Sequence, residues 1–306
     1  MRIFENKFLT AAKFFKTRAQ RDRWIAYAFL LPNIAGFALF MVGPLFASLV
    51  MSLFRWDIFT APTFIDWDNF FEIFSPRSGF GQYLSNTLFF AVSVPLGLIL
   101  ALGFALLLNQ PLRGIGFFKT IYFLPVVTSA IAVAIIWQWL LNKDFGVINL
   151  LLAKFSLAPV DWLGTPLLAK ISIVLMTVWK SLGYNILIYL AALQGIPGEL
   201  YEAAQLDGAR NWRQFTRITL PLLGPAHLFL FITGFISTFQ LFGPIYVMTQ
   251  GGPLKGTWSL VYEIWWKAFR EFRMGYAAAL AWILFAIIFV VTLVQWRYAE
   301  RKVHYS

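Results

Sequence analysis

Few side chains in this sequence could carry out bond-making chemistry. The 306 residues contain no cysteine, so thiolate metal sites are excluded. They contain only two histidines, His227 and His304, which makes a histidine-based metal site improbable. We find no GxxxxGK[ST] phosphate loop, no HExxH pair and no GxSxG nucleophile elbow. We therefore predict no catalytic residue, no metal site and no cofactor in this chain, and no means of its own to use ATP.

Lys180 is the charged side chain that most needs an explanation, because it lies within a long apolar stretch. A lysine inside a membrane-spanning helix is costly and usually faces a cavity or the interior of the helix bundle. Ser181 and Tyr184 follow at i+1 and i+4, on one broad face of a helix. This face is the first candidate for contact with a solute or with a charged group of a partner.

A polar hairpin between two apolar stretches is the second candidate. Pro197 and Gly198 interrupt the chain, "ELYEAAQL" favours a helix, and the glycine of Asp207–Gly208 is a usual helix stop. Asn211 with Gln214 three residues later resembles a capping box that starts a second short helix. We predict two short helices lying nearly parallel to the membrane plane.

One side of the first hairpin helix is almost flat. Ala203 and Ala204 would allow another surface to approach closely, and Glu202, Asp207 and Arg210 surround them with charge. The alternative is a well-built loop with no docking role.

The elements that carry these features are apolar stretches long enough to cross a bilayer. The chain is 59% hydrophobic and 13% charged, with a mean hydropathy of +0.70, whereas soluble domains carry about 25% charged residues. Lipid cannot satisfy open backbone groups, so helices of about 20 residues are expected. The sequence thus predicts an all-α polytopic membrane protein with six transmembrane helices. The six stretches are 25–53, 83–108, 121–141, 171–193, 225–248 and 276–296.

The distribution of basic residues predicts the orientation of the chain. If both termini are cytoplasmic, the inside segments hold 15 Lys and Arg residues and the outside loops hold 9. Excess Lys and Arg marks the cytoplasmic side, so we predict that both termini lie there. The net charge of +11 is then a topology signal and an affinity for anionic lipid headgroups, and nucleic-acid binding is not predicted. The loops are too short for an enzyme domain of about 50 residues or more.

The hairpin sequence matches a known motif. "EAAQLDGA", with "ITLPLL" nine residues later, resembles the EAA motif of ABC importer permeases, and it stands before the fifth of six spans. "WKSLGYNILIYLAALQGIPGELYEAAQLDGA", "MTQGGPLKGTWSLVYEIW", "FIDWDNF" and "LPVVTSAIAVAIIWQWL" resemble sugar-type permeases, the relatives of maltose and glycerol-phosphate importers. By this resemblance the motif positions fall on Glu202, Ala203, Ala204, Asp207, Gly208, Ala209, Leu220 and Pro221.

The resemblance implies an ABC importer type I permease fold in the inner membrane. It assigns 1–24 to a basic cytoplasmic segment, 25–82 to the first span and outer loop, 83–297 to the permease core and 298–306 to a cytoplasmic tail. Coupling helices at about 199–219 would dock into a groove on a cytoplasmic ATPase subunit, and two such subunits in the complex would bind the ATP and Mg. The other implied partners are a second, different permease subunit, an extracytoplasmic solute-binding protein and membrane lipid.

The resemblance also implies where a sugar-like solute would bind, against the spans on both sides of the hairpin. Lys180, Ser181 and Tyr184 lie on the span before it, and four residues at spacings of three and four lie on the span after it. Those four are Gly234, Ser237, Thr238 and Leu241. Hydroxyls, a cation and an aromatic ring suit a sugar, but Ser, Thr and Gly are also frequent helix-packing residues.

Two functions of different class remain open from the sequence. The first is a permease subunit that forms half of a pathway and couples it to ATPase subunits. The second is a self-sufficient secondary transporter or channel, which often shows inverted repeats and acids within its spans. The six predicted spans contain no Asp or Glu, and this favours the first.

Overall fold

The computed structural model describes residues 17–110 and 115–300, and most of these residues lie in helices. The greater part of the predicted 1–24 segment and of the 298–306 tail lies outside the described residues. Two strands of two residues each, β1 (Phe54–Arg55) and β2 (Thr63–Phe64), pair antiparallel in the first loop, with Phe54 opposite Phe64. The described helices are α1 (Arg18–Phe37), α2 (Gly43–Met51), α3 (Asp68–Ile73), α4 (Phe80–Ala91), α5 (Ser93–Leu108), α6 (Ile115–Val127), α7 (Ala130–Leu140), α8 (Val147–Lys154), α9 (Pro166–Gln194), α10 (Gly198–Leu206), α11 (Asn211–Gln214), α12 (Leu220–Leu222), α13 (Gly224–Phe239), α14 (Gly243–Met248), α15 (Leu260–Phe269) and α16 (Met274–Glu300).

Four of the six predicted spans are continuous in the described chain. They correspond to Asp22–Met51, Phe80–Leu108, Pro166–Gln194 and Met274–Arg297. The other two spans are bent pairs. Thr120–Val127 and Ala130–Leu140 meet at a bend of 111°, and Asn211–Leu222 and Gly224–Phe239 meet at 61°. Six spans result if each bent pair is counted as one.

The predicted fifth span, 225–248, is wrong at its far end. Helix α13 ends at Phe239, and the separate short helix α14 starts at Gly243. Pro244 explains the interruption, because it has no backbone N–H to donate to the carbonyl of Gln240 and its ring would clash with that carbonyl in a continuous helix. In the third span the break lies at Ser129, whose extended backbone (ψ 136°) follows a β-branched run of Val126, Val127 and Thr128.

Two π-helical turns explain how other prolines are accommodated within helices. Ala38–Val42 ends two residues before Pro44, and Phe215–Thr219 ends two residues before Pro221. A proline ring clashes with the carbonyl four residues earlier, and a widened turn moves that carbonyl away. The first span is therefore locally rewound at Pro44 and still runs on as one span to Met51.

Within residues 17–110 and 115–300, the buried core consists of two clusters at opposite ends of the helix bundle. At the end that carries the 197–223 hairpin, Tyr189, Leu193, Leu223 and Leu230 pack against small residues of α5. The second cluster lies beneath the 54–79 and 249–273 loops. We call these the hairpin end and the loop end.

Candidate functional site

The hairpin at 197–223 is built around Gly208, as the sequence predicts. Gly208 has φ +75°, a left-handed conformation that costs glycine no steric penalty. Its N–H donates to the carbonyl of Gln205 at 3.0 Å, and the N–H of Ala209 donates to the carbonyl of Ala204 at 2.8 Å. These two bonds are a Schellman motif, which satisfies carbonyls that the end of α10 would otherwise leave unpaired. Ala204 and Ala209 are the pair whose apolar contact commonly accompanies this motif.

The predicted capping box at Asn211 is wrong. The N-cap of α11 is Arg210, no side chain caps it, and Asn211 is already helical. The Gln214 amide instead donates to the carbonyl of Ala209 at 2.9 Å. The side chain of Gln214 therefore reaches back to the turn and links the second helix to Ala209, the residue after Gly208.

Further contacts hold the hairpin against the membrane helices. The Tyr201 hydroxyl lies 2.9 Å from the hydroxyl of Thr219, which is buried, so α10 is linked to the π turn before Pro221. Eight residues after Thr219, His227 Nδ1 lies 2.7 Å from the hydroxyl of Tyr189 on α9. His227 thus takes part in a helix–helix contact, and the described residues contain no group of three or more metal-ligating side chains.

Two exposed apolar residues of the hairpin were missed by the sequence reasoning. Leu206 is 90% exposed and Trp212 is 74% exposed, and Ala203 is exposed as well. The missed signal was the presence of large apolar side chains in the most polar segment between two spans. Large apolar side chains exposed in a polar segment are candidates for contact with a partner.

Lys180 binds backbone carbonyls at the break in the third span. Its Nζ donates to the carbonyl of Thr128 at 2.9 Å and to that of Pro125 at 3.2 Å. Among the described residues no carboxylate forms an ion pair with it. One helical turn further along α9, a Cβ on Gly183 would lie 2.1 Å from the carbonyl of Tyr122, so only glycine permits this approach of α6 and α9.

The remaining predicted lining residues separate into packed and accessible ones. Thr238 is buried, and a Cβ on Gly234 would lie 3.0 Å from Val94 on α5, so both pack within the chain. The Ser181 hydroxyl donates to the carbonyl of Val178 at 3.1 Å. Tyr184 and Ser237 are exposed and Leu241 is partly exposed, on helices α9, α13 and the segment that follows α13. Helices α9 and α13 are in contact, as the prediction of a shared site requires.

The loop end is held by charged pairs. Arg273 forms a two-pronged ion pair with Glu72, with Nη1 to Oε1 at 2.8 Å, and this pairing lowers the pKa of the Glu72 carboxyl. Glu263 is buried and accepts a hydrogen bond from the Trp258 indole, and its burial raises the pKa of its carboxyl. The first contact ties the first loop to the start of the last span, and the second ties α15 to the segment that precedes it.

Comparison with known proteins gives consistent matches along nearly the whole chain. The family model for the binding-protein-dependent transport system inner membrane component matches residues 93–304. The probable ABC transporter permease protein YesP of Bacillus subtilis is 38% identical over 94% of each chain. The lactose transport system permease protein LacF of Rhizobium radiobacter is 37% identical, over 90% of this chain and 94% of its own. The sn-glycerol-3-phosphate permease protein UgpA of Yersinia pestis is 33% identical, over 92% and 96%.

Solved structures match as well. A chain of a bacterial ABC transporter involved in the import of the acidic polysaccharide alginate superposes with a TM-score of 0.82 at 27% identity, covering 93% of this chain and 99% of its own. A second match, at TM-score 0.81 and 26% identity, is an alginate ABC transporter in complex with an alginate pentasaccharide-bound periplasmic protein. It covers 92% of this chain and 96% of its own.

Proposed function

This chain belongs to the family of binding-protein-dependent transport system inner membrane components, and from that premise we propose that it forms half of an ATP-driven import pathway for a sugar or sugar-like solute. The solute class is supported by the relatives, which are named for lactose and sn-glycerol-3-phosphate, and by the structural matches, which are alginate transporters. All three are hydroxyl-rich compounds, and two of them are anionic.

The observation that carries the coupling role is the hairpin with its exposed apolar face. We propose that the ATPase-coupling residues are those of the sequence motif, with Gly208 fixing the turn and Ala203, Leu206 and Trp212 forming the contact surface. A fully exposed leucine that becomes buried in a partner contributes about 1.5–3 kcal/mol to binding. The remaining motif residues, Glu202, Ala204, Asp207, Ala209, Leu220 and Pro221, then shape the helix, its turn and the return to the membrane.

The solute pathway is proposed to run along the accessible parts of α9 and α13. Tyr184 offers an aromatic ring, Ser237 and Ser181 offer hydroxyls, and Leu241 offers an apolar edge, which together suit a ring with polar substituents. Gly234 and Thr238 are proposed to support this surface by packing against other helices of the chain.

The proposed partners follow from what this chain lacks. None of the first span's apolar window is buried within the described chain, which leaves that surface for lipid or a second permease subunit. We propose a different chain as the second permease subunit, two cytoplasmic ATPase subunits that bind ATP and Mg, and an extracytoplasmic solute-binding protein. Both termini are proposed to be cytoplasmic.

A self-sufficient secondary transporter is the alternative, and one experiment separates the two. The chain is reconstituted in vesicles with its second permease subunit and ATPase subunits, and uptake is measured for a panel of sugars and glycerol phosphates. Uptake that requires internal ATP, the ATPase subunits and the binding protein supports the proposal. Uptake by the chain alone, driven by an ion gradient without ATP, would overturn it.

A further inference from the structure

The break in the third span leaves backbone carbonyls without helical partners. In a continuous helix the carbonyl of Pro125 would accept the N–H of Ser129, and that of Thr128 would accept the N–H of residue 132. The chain instead turns by 111° between α6 and α7. The Thr128 hydroxyl satisfies the carbonyl of Leu124 at 2.9 Å, and the Lys180 ammonium satisfies those of Pro125 and Thr128. Such pairing matters because lipid supplies no alternative donors.

The charge of Lys180 is also favourable at this place. The C-terminus of α6 carries the negative end of its helix dipole, which a nearby cation stabilises. Gly183, on the same face of α9, lets the α6 backbone approach closely enough for the ammonium to reach both carbonyls. Two independent features of α9 therefore converge on the end of α6.

We propose that Lys180 is a positioning residue that holds the third span in its broken form, and so places α7 against α14. It acts through the carbonyls of Pro125 in α6 and of Thr128 just after α6, and it does not bind the solute. Helix α7 packs on α14, which follows directly on the proposed solute-lining segment at Leu241. A loss of the break would therefore shift one wall of the pathway.

The test compares Lys180→Met with Lys180→Arg in the assembled transporter, with Lys170→Met as a matched control. Lys170 lies on the same helix and stacks over the Phe89 ring, so its replacement removes a lysine without touching the break. For Lys180→Met we expect the maximal uptake rate to fall about tenfold or more while the half-saturating solute concentration stays within about twofold. Arginine also offers several donors, so Lys180→Arg should recover most of the maximal rate.

A distance measurement tests the break without reference to transport. The chain contains no cysteine, so spin labels can be placed at Thr120→Cys and Gln138→Cys, one on each side of the break. A 111° bend places these positions about 15 Å apart, against about 27 Å in a continuous helix. We expect a longer component in Lys180→Met, and the short distance alone in Lys180→Arg and Lys170→Met.

Several results would overturn the proposal. A higher half-saturating concentration with an unchanged label distance would make Lys180 a solute ligand. If Lys180→Met has the uptake rate and the label distance of the wild type, Lys180 has neither role. If Lys180→Met assembles too poorly to assay, Lys180→Gln, whose amide keeps a neutral donor for a carbonyl, is measured instead. A higher half-saturating concentration with an unchanged label distance in that variant would equally refute the positioning role. The uptake measurement rests on the proposed function. The spin-label distance measurement does not, so it still tests the role of Lys180 if the chain imports nothing.

Discussion

Replacing Gly208 should uncouple the transporter through backbone conformation alone. A Cβ at Gly208 would meet no atom within 4 Å, so added side-chain bulk finds open space in this chain. The φ of +75° is the obstacle. An L-residue held in this region costs about 1–2 kcal/mol, and more if it is β-branched. If the turn gives way, the two Schellman hydrogen bonds are lost as well, at about 1 kcal/mol each.

These magnitudes predict a graded series. Gly208→Ala should lower the equilibrium constant for forming the native turn about 5- to 30-fold, and Gly208→Val should lower it about 100-fold. Gly208→Asn should be the mildest of the three, because asparagine tolerates left-handed geometry. The assay is ATPase activity stimulated by the solute-loaded binding protein, measured with uptake on the same reconstituted complex. The yield of the permease in the membrane should remain close to wild type, because the hairpin is exposed within this chain.

Gly198 provides a matched control on the same hairpin. A Cβ there also meets no atom within 4 Å, but its backbone is not left-handed. Gly198→Val should therefore retain coupling. If Gly208→Val couples normally, or if Gly198→Val is equally damaging, the conformational argument fails. If Gly208→Asn couples less well than Gly208→Ala, the loss of coupling follows the size of the side chain that meets the partner, and the conformation of the turn is not its cause.

Three further predictions address the docking face, the topology and the loop end. Leu206→Ser should weaken association with the ATPase subunits about 10- to 100-fold, as measured by co-purification at graded ATPase concentration, and normal association would remove Leu206 from the contact surface. Single cysteines at Ser75 and Gln205 should label from opposite sides of intact cells, and labelling from one side would break the six-span arrangement. Because pairing with Arg273 lowers the pKa of the Glu72 carboxyl below its ordinary value of 4.5, the pair stabilises the fold above about pH 4.5 and that stability is lost as the pH falls through the lowered pKa. In Glu72→Gln, the melting temperature of the complex should depend less on pH in the acid range than it does in the wild type. The same dependence on pH in both proteins would show that the pair contributes nothing.

Much of the fold follows from composition and short-range pattern. Apolar stretches of about 20 residues determine where helices cross lipid, and four of the six predicted spans are continuous helices. The family resemblance is confirmed by the match over residues 93–304 and by the structural similarity to ABC importer chains. The third and fifth spans differ, because a hydropathy pattern records which residues lie in lipid and carries little information on where a helix bends.

The hairpin turn was also predictable, and its capping was not. A glycine after a helix-forming run specifies a Schellman stop through bonds that join residues at most five positions apart, from Ala204 to Ala209. Asn211 had a suitable type and spacing for a cap, but the Gln214 amide pairs instead with the Ala209 carbonyl. Several local bonds compete at a helix start, and the neighbouring turn decided among them.

The sequence by itself determined that this chain crosses a membrane, that it carries a polar hairpin with a left-handed glycine, and that one lysine lies within an apolar span. Each of these depends on residues close together in the chain. Only the tertiary structure decided what Lys180 binds, since its carbonyl partners lie 52 and 55 residues away, and that Gly234 and Thr238 pack internally. The same holds for Glu72 and Arg273, which lie 201 residues apart. A sequence pattern places a side chain on a helix face, and only the packing of the helices determines what that face meets.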